Sequence, residues 1–412
     1  MKKSDPGLIA ALDIGTTKVV CLIGRVLDSD AQAVLEIVGI GSHPASGMKR
    51  GVVVNIESTV RAISEAIKSA EQAASTTIRA AYAGIAGSHI RSMNSHGIVA
   101  IRQQEVSHAD IDRVIEAARA VAIPADQQIL HVLPQEFFVD NQDGIRDPIG
   151  MSGVRLEAKT HIVTGSVSAA QNIIKCVERS GVQVNDVILE QLASSQAVLT
   201  EDEKELGVCL VDIGGGTTDI AVFVDGAIRH SAVIPIAGNQ VTNDLAVALR
   251  ISTADAEAIK LTQSSVSLNG ADANTVMEVS GIADEHTQAV SLQTIADVVR
   301  ARYEELFQMI ELELRRSGLH EALAAGIVFT GGGSKVAQGM SLAESIFNMP
   351  VRIAAPQSLL GIDEDIRRPE YATAVGLMLY GHQQMKQGIT VCDGMNERIW
   401  MRRLKQWLHC YF

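Results

Sequence analysis

Two stretches of this chain repeat one another: LIAALDIGTTKVVCLIGRV near the N-terminus and LGVCLVDIGGGTTDIAVFVDG near mid-chain. Each reads as an apolar strand, then Asp-Ile-Gly, then a turn of small residues and threonine, then a second apolar strand. The two aspartates, Asp13 and Asp212, lie nearly half the chain apart. A third strand pattern follows each copy, AVLEIVGIG in the first and RHSAVIPIAG in the second. Helical patterns come next. In IESTVRAISEAIKSAEQAA, residues Ile56, Val60, Ile63, Ile67 and Ala70 recur on one face. A half-length repeat of this kind predicts two related α/β domains facing one another across a cleft. A chain of 412 residues is also too long for one compact core.

The composition of the repeated turn points to phosphate. Glycines at 15 and 214–216 let backbone N–H groups approach an anion closely. Thr16, Thr17, Thr217 and Thr218 add hydroxyl donors, and Lys18 offers a direct cation. Asp13 and Asp212 would repel phosphate but suit a hydrated Mg²⁺, which keeps most of its waters and takes carboxylates as outer partners. Two such turns from opposite sides would clamp a nucleoside triphosphate and its metal. The plainer alternative is a pair of ordinary tight β-turns. Two copies in matching strand context favour phosphate. A third cluster, Gly331, Gly332, Gly333 and Ser334, follows an apolar strand at 326–330 and opens a helical stretch, leaving room for a base and ribose to lie on bare backbone. No GxxxxGK[ST] occurs, nor a GxGxxG between a strand and a helix.

Bulk composition excludes several classes. With 47% hydrophobic and 20% charged residues the chain can bury substantial cores. No apolar run reaches membrane-spanning length, and GLIAALDIG is broken by Asp13, so neither a spanning helix nor a signal peptide is expected. Five scattered cysteines without a CxxC spacing, and no HExxH, predict a reducing compartment with no disulfide framework or zinc site. The net charge of −13 argues against nucleic acid as a partner.

ALDIGTTK, LVDIGGGTTD (which runs to Asp219) and VFTGGGS resemble the two phosphate motifs and the adenosine motif of the actin/Hsp70/sugar-kinase superfamily. LASSQAVL and YATAVGLMLYG resemble its two connecting helices. Within that superfamily, GSHPASGMKRGVVVNIESTV, YAGIAGSHIRSMNSHGIVAI, HVLPQEFFVDNQDGIRDPIGMSG and AGNQVTNDLAVAL make the chain similar to the FtsA family of bacterial cell-division actin homologues over essentially its full length. The resemblance implies an actin-like (ribonuclease H-like) duplicated α/β fold around an ATP–Mg²⁺ cleft. A subdomain called 1C (84–161) would be inserted in the first domain 1A (1–83 and 162–197). The second domain 2A (198–240 and 305–385) would carry a small subdomain 2B (241–304). A helix in SHADIDRVIEAARAV, capped by Ser107 with Asp110 three residues on, belongs to the insert.

The same resemblance implies a water-positioning role for Gln196 in QAVL, with Asp212 beside the metal. Glutamine orients water but is a poor base, so at most a weak ATPase is expected. It implies polymerisation with copies of itself, binding of the C-terminal peptide of FtsZ on 2B with Arg300 and Arg302 as candidate cations, and recruitment of later division proteins through 1C. The alternatives are a small-molecule kinase, a chaperone ATPase, or a pilus-assembly actin-like ATPase. The kinase would need a catalytic aspartate facing a sugar pocket. The chaperone would need a substrate domain where only 31 residues follow Gly381.

The last residues, NERIWMRRLKQWLHCYF, hold both tryptophans of the chain. Drawn as a helix, Trp400, Met401, Leu404, Trp407, Leu408, Tyr411 and Phe412 share an arc of about 140°. Arg398, Arg402, Lys405 and His409 lie opposite, with Arg403 flanking and Ile399 misplaced on the polar side. Aromatics opposed by cations compose a helix lying in the interface of an anionic membrane. An ordinary packed terminal helix is the alternative. Residues 386–395 read as a short tether, and FtsA resemblance places such a protein peripherally on the cytoplasmic face of the inner membrane at the septum.

Overall fold

The apolar strands are buried on both faces, and the protein arranges them twice in the same way. The computed structural model describes residues 7–27, 34–268, 275–281, 287–357 and 365–386. In the first half, five strands stand in the order Gln183–Leu189, Ala80–Ile85, Leu8–Ile14, Lys18–Leu27, Val34–Pro44. In the second, the order is Val351–Ile353, Ile327–Thr330, Val208–Ile213, Thr218–Val224, Ala227–Ile234. Both sheets join an antiparallel three-stranded meander to two parallel strands beside its first strand. Near-continuous apolar runs are what such doubly covered strands require.

Helix Ile56–Ala74 covers the first sheet with Ala62, Ile63, Ala66, Ile67 and Ala70 buried, while Ile56 and Val60 pack at its margin. Its N-cap is Asn55, whose side-chain oxygen accepts the Ser58 N–H at 3.0 Å. Two helices run between the halves, Glu190–Val198 and Ala372–Lys386. They cross at backbone contact, for a Cβ on Gly376 would stand 1.8 Å from the Ala193 carbonyl oxygen. Only glycine permits that approach.

Between the fourth and fifth strands of the first half the chain forms a separate antiparallel sheet, ordered Arg91–Ala100, Arg155–Ser166, Gln127–Val139, Gln142–Ile145. Helix His108–Arg119 closes it over a core containing Phe137, Ile111, Ile115 and Leu156. The expected capping box is present: Asp110 accepts from the Ser107 N–H at 3.0 Å and from its hydroxyl at 2.6 Å.

In the second half, helices Gly238–Leu249 and Thr253–Gln263, a two-stranded ribbon (Val276–Ser280, Thr287–Ser291) and the long helix Leu292–Ser317 follow the meander. That last helix is continuous from Leu292, so it crosses the expected 304/305 boundary. Tyr303 on it donates its hydroxyl to the Gly333 carbonyl at 2.7 Å, tying the helix to the third glycine cluster.

Candidate nucleotide-binding cleft

The two Asp-Ile-Gly turns meet. Each hairpin closes on a four-residue loop, Gly15–Lys18 between the paired Ile14 and Val19, and Gly214–Thr217 between the paired Ile213 and Thr218. A Cβ on Gly215 would lie 2.5 Å from Thr17 Cγ2, and one on Gly216 would lie 2.4 Å from Thr16 Oγ1. Thr16 is held in place, because its hydroxyl oxygen accepts the Gly51 N–H at 3.1 Å. The turns form one end of a cavity of about 440 Å³ that extends to the third glycine cluster.

Six carboxylates line this cavity, and four of them, Asp13, Glu190, Asp212 and Asp219, act on one another's charge. Burial pushes Asp13 up to about 7, with Asp212 adding to the rise and Lys18 opposing it. Burial likewise lifts Asp219 to about 8, and Asp212 contributes. Glu190 is held well above the usual carboxylate range by burial and then by Asp13, Asp219 and Asp212. Asp212 is raised by burial too, but two hydroxyls counteract this. Ser194 donates to its Oδ2 at 2.6 Å and Thr373 at 3.2 Å. Asp219 Oδ2 accepts from the Thr217 hydroxyl at 3.0 Å, and its Oδ1 has no hydrogen-bond partner. Buried carboxylates that hold one another's charge off, one with a bare oxygen, form a donor set that fits a hydrated divalent cation. Among the described residues no three His, Cys, Asp or Glu converge closely enough to take a bare metal ion.

Cations and backbone complete the cavity. Lys18 Nζ stands 4.0 Å from the centre of the Tyr371 ring, and burial lowers its pKa against the pull of Asp13. Gly331 has φ +80°, and a Cβ there would lie 2.3 Å from Asp212 Oδ1. From the helical part of the second half, Lys260 reaches the lining, bonded to Glu257 at 2.7 Å, to the Thr242 hydroxyl at 3.0 Å and to the Gly238 carbonyl at 3.3 Å.

The structure thus brings Asp13, Gly15, Thr16, Thr17, Lys18, Asp212, Gly214, Gly215, Gly216, Thr217, Asp219, Gly331, Gly332 and Gly333 to one cavity. Three expected residues are not in its lining. Thr218 belongs to the strand rather than the turn, and its hydroxyl donates to the Ile236 carbonyl at 2.7 Å. Ser334 turns its hydroxyl back to the Gly331 carbonyl at 2.7 Å. Gln196 lies well along helix Glu190–Val198, away from the cavity, and the acid at that helix's start enters instead. Sequence reasoning missed Glu190, Glu257 and Lys260. The faint signal for Glu190 is an acid directly after an apolar strand.

On the long helix, Arg300 pairs with Glu304 at 2.7 Å at the surface. Arg302 is committed more firmly, contacting Asp244 at 2.6 and 3.0 Å and also Glu305. The residues expected to face a membrane, Trp400, Arg402, Arg403, Leu404, Lys405, Trp407, Leu408, Tyr411 and Phe412, lie outside the described residues. Among the described residues no helix is long and apolar enough to cross a membrane.

A family model for "Cell division protein FtsA" matches residues 209–376, and one for the "SHS2 domain inserted in FTSA" matches residues 87–164. The Pseudomonas aeruginosa cell division protein FtsA is 58% identical over 384 residues, covering 93% of this chain and 91% of that protein. The Escherichia coli K12 protein of the same name is 40% identical over 428 residues, covering 100% of both chains. The chain belongs to the FtsA family. FtsA proteins are cell-division actin homologues, and solved structures agree on the fold. A chain of a PilM–PilN type IV pilus biogenesis complex superposes with TM-score 0.65 at 16% identity, covering 90% of this chain and 98% of that one. MreB 5 of Spiroplasma citri, solved with AMPPNP, superposes with TM-score 0.56 at 15% identity, covering 93% and 98%. The fold is that of actin-like ATPases, with the FtsA-type insert at residues 87–164.

Proposed function

We propose that this FtsA-family protein binds ATP with Mg²⁺ in the cleft and uses the bound state to assemble on the cytoplasmic face of the inner membrane at the septum. The observation that carries this is the meeting of two glycine–threonine turns beside the buried Asp13, Asp212 and Asp219 and the adjoining Glu190. Backbone N–H groups of both turns, with Thr16, Thr17 and Thr217, would hold the phosphates, and Lys18 would add a charge-assisted contact. Asp13 and Asp212 would hold the cation through its waters, with Asp219 beside them. When bound, Mg²⁺ supplies charge neutralisation at the phosphate oxygens. Gly331, Gly332 and Gly333 would underlie the nucleoside, with Glu257 and Lys260 at its edge.

Glu190 takes the place assigned to Gln196 as the group that could orient or deprotonate a water. Burial and the neighbouring Asp13, Asp219 and Asp212 raise its affinity for a proton, the direction a general base requires.

Outside the cleft, we assign subdomains 1A, 1C, 2A and 2B with the boundaries given above. The C-terminal peptide of FtsZ would dock on 2B, with exposed Arg300 freer to meet it than Arg302. Later division proteins would engage 1C, and residues 396–412 would lie in anionic lipid, many weak feet acting together in a polymer.

Two assays test this. Equilibrium binding of ATP should strengthen with Mg²⁺ and be lost in Asp212→Ala; binding indifferent to both refutes the cleft assignment. Co-sedimentation with anionic and neutral liposomes should show the full chain pelleting on anionic lipid, more so with Mg-ATP, and a chain stopped after Met395 remaining in solution. If truncation changes nothing, the membrane reading fails and the cleft reading stands.

A further inference from the structure

Asp212 is the penultimate residue of a strand of the second half, yet both side chains that bond its carboxylate come from the helices between the halves. Ser194 lies on Glu190–Val198, directly after a strand of the first sheet. Thr373 lies on Ala372–Lys386, which returns to the first sheet: a Cβ on Gly381 would stand 2.6 Å from the Tyr82 ring, and one on Gly24 would stand 2.6 Å from Met378 Sδ. The three oxygens form a closed triangle. Ser194 donates at 2.6 Å to Asp212 Oδ2, Thr373 stands 3.2 Å from the same oxygen, and the two hydroxyls are 3.0 Å apart.

Counting protons ranks the two. Each hydroxyl has one hydrogen. Ser194 commits its own to Asp212 in a short bond, whereas Thr373 divides its hydrogen between Asp212 and Ser194. The triangle sits beside the helix crossing, where Gly376 lets its backbone meet the Ala193 carbonyl. Any rotation of one half against the other turns these helices and moves the donors relative to the carboxylate.

We infer that Ser194 and Thr373 are positioning residues for Asp212, so that the crossing of the inter-half helices, and not the phosphate turns alone, sets the cation-assisted grip of the cleft. This rests on the nucleotide reading above. Ser194 is not in the cavity lining and Thr373 borders it, so the Ser194 variant carries the decisive comparison. Their effect is to fix which oxygen of Asp212 faces the cavity and to make that orientation depend on how far the halves have closed.

The test is binding of a fluorescent ATP analogue to the full-length protein, titrated with Mg²⁺ and repeated in EDTA, with a melting curve for every variant. Ser194→Ala should raise the Mg²⁺ concentration at half-effect by about tenfold or more while leaving metal-free binding within about twofold of wild type. Thr373→Val should shift it less, and Ser194→Thr, which keeps a hydroxyl, should restore most of the response. Gly376→Ala, which touches neither Asp212 nor the cavity, should move the midpoint in the same direction. An unshifted midpoint in Ser194→Ala overturns the inference, as does an equal loss with and without metal. Wild-type protein that binds no analogue overturns the nucleotide reading and this inference with it, an outcome distinct from binding with an unshifted midpoint.

Discussion

The two hairpins that face across the cleft share a backbone and differ in almost every side chain that matters. Their loops have equal length, so Gly15 corresponds to Gly214, Thr16 to Gly215, Thr17 to Gly216, Lys18 to Thr217 and Val20 to Asp219. The first copy carries threonines and a cation; the second carries glycines and an extra acid. In space the threonines of one copy lie against the glycines of the other. Two threonine copies would collide, and two glycine copies would leave a gap between the halves. Duplication therefore supplied the shape, and divergence in opposite directions let the copies mesh and divide the charge.

The largest effect should come from the position where charge differs. Lys18→Met removes the first copy's cation, and a hydrogen bond to a charged group contributes about 1.5–3 kcal/mol, roughly a 10- to 150-fold loss in ATP affinity. Thr217→Val, at the corresponding position, removes an uncharged hydroxyl whose hydrogen already goes to Asp219 Oδ2, so its loss should be smaller, about 0.5–1.5 kcal/mol. Calorimetric titration of both variants checks the ranking. Equal losses would mean that the two turns hold phosphate alike, and the division of labour would be wrong.

The meshing is tested by Gly216→Ala, whose new methyl meets Thr16 while that side chain is fixed by Gly51. Overpacking of this kind costs about 1–3 kcal/mol. Thr16→Gly in the same chain should recover most of the loss, giving a coupling energy that denaturant unfolding and ATP binding both report. Additive losses would show that the contact is incidental.

The uneven distribution of acids has a pH signature. Asp13 and Asp219 hold protons up to about 7 and about 8, against an ordinary value of 3.8. The folded protein therefore binds protons that the unfolded chain has released. The stability these groups contribute is complete below about pH 4 and is lost progressively as pH rises from there to about 7 for Asp13 and about 8 for Asp219. Without ligand, the melting temperature should fall by a few degrees between about pH 5 and 8 and level off above, and Mg-ATP should flatten the slope. Asp219→Asn should remove the fall above about pH 7 and lessen the slope below it, whereas Asp13→Asn should lessen only the slope below about pH 7. A ligand-free melting temperature that rises over this range contradicts the assignment.

Much of this arrangement was legible because it is local. Strand, turn and strand are written consecutively in each Asp-Ile-Gly copy, and the Ser107–Asp110 cap needs only three residues of spacing. What escaped depends on distant pairing or on phase. Glu190 reaches the cavity because strand Gln183–Leu189 pairs in parallel with Ala80–Ile85, which in turn pairs with the strand bearing Asp13. No neighbour in sequence announces that. Gln196 sits in a short motif of the right letters, but letters do not fix where a helix begins relative to a cleft. Thr217 and Thr218 are adjacent and identical, yet one is in the loop and one in the strand, so their hydroxyls go to different partners.

The third strands extend the comparison and give the smallest expected effect. In the first half, Val34–Pro44 lies against its own helix so closely that a Cβ on Gly41 would stand 2.0 Å from the Ala66 carbonyl oxygen. In the second half the corresponding strand, Ala227–Ile234, receives the insert instead. Ser92 donates to the Ser231 carbonyl at 2.7 Å, Asn94 to Arg229 at 3.2 Å and Gln135 to Ile228 at 2.9 Å, while buried His161 joins Asn94 and the Ser231 hydroxyl. A piece inserted in the first half by sequence is thus bonded to the second half in space. Ser92→Ala should cost only about 0.5–1.5 kcal/mol, but the loss should be local to that seam. Hydrogen exchange should quicken at 227–234 and across strand Arg91–Ala100, with the cleft turns unchanged. Ser95→Ala, which removes a 2.6 Å bond to the Ala118 carbonyl within the insert, serves as the internal reference and should leave 227–234 protected. If both variants open the insert alone, the seam carries no load between the halves, and the asymmetry of the third strands is one of packing only.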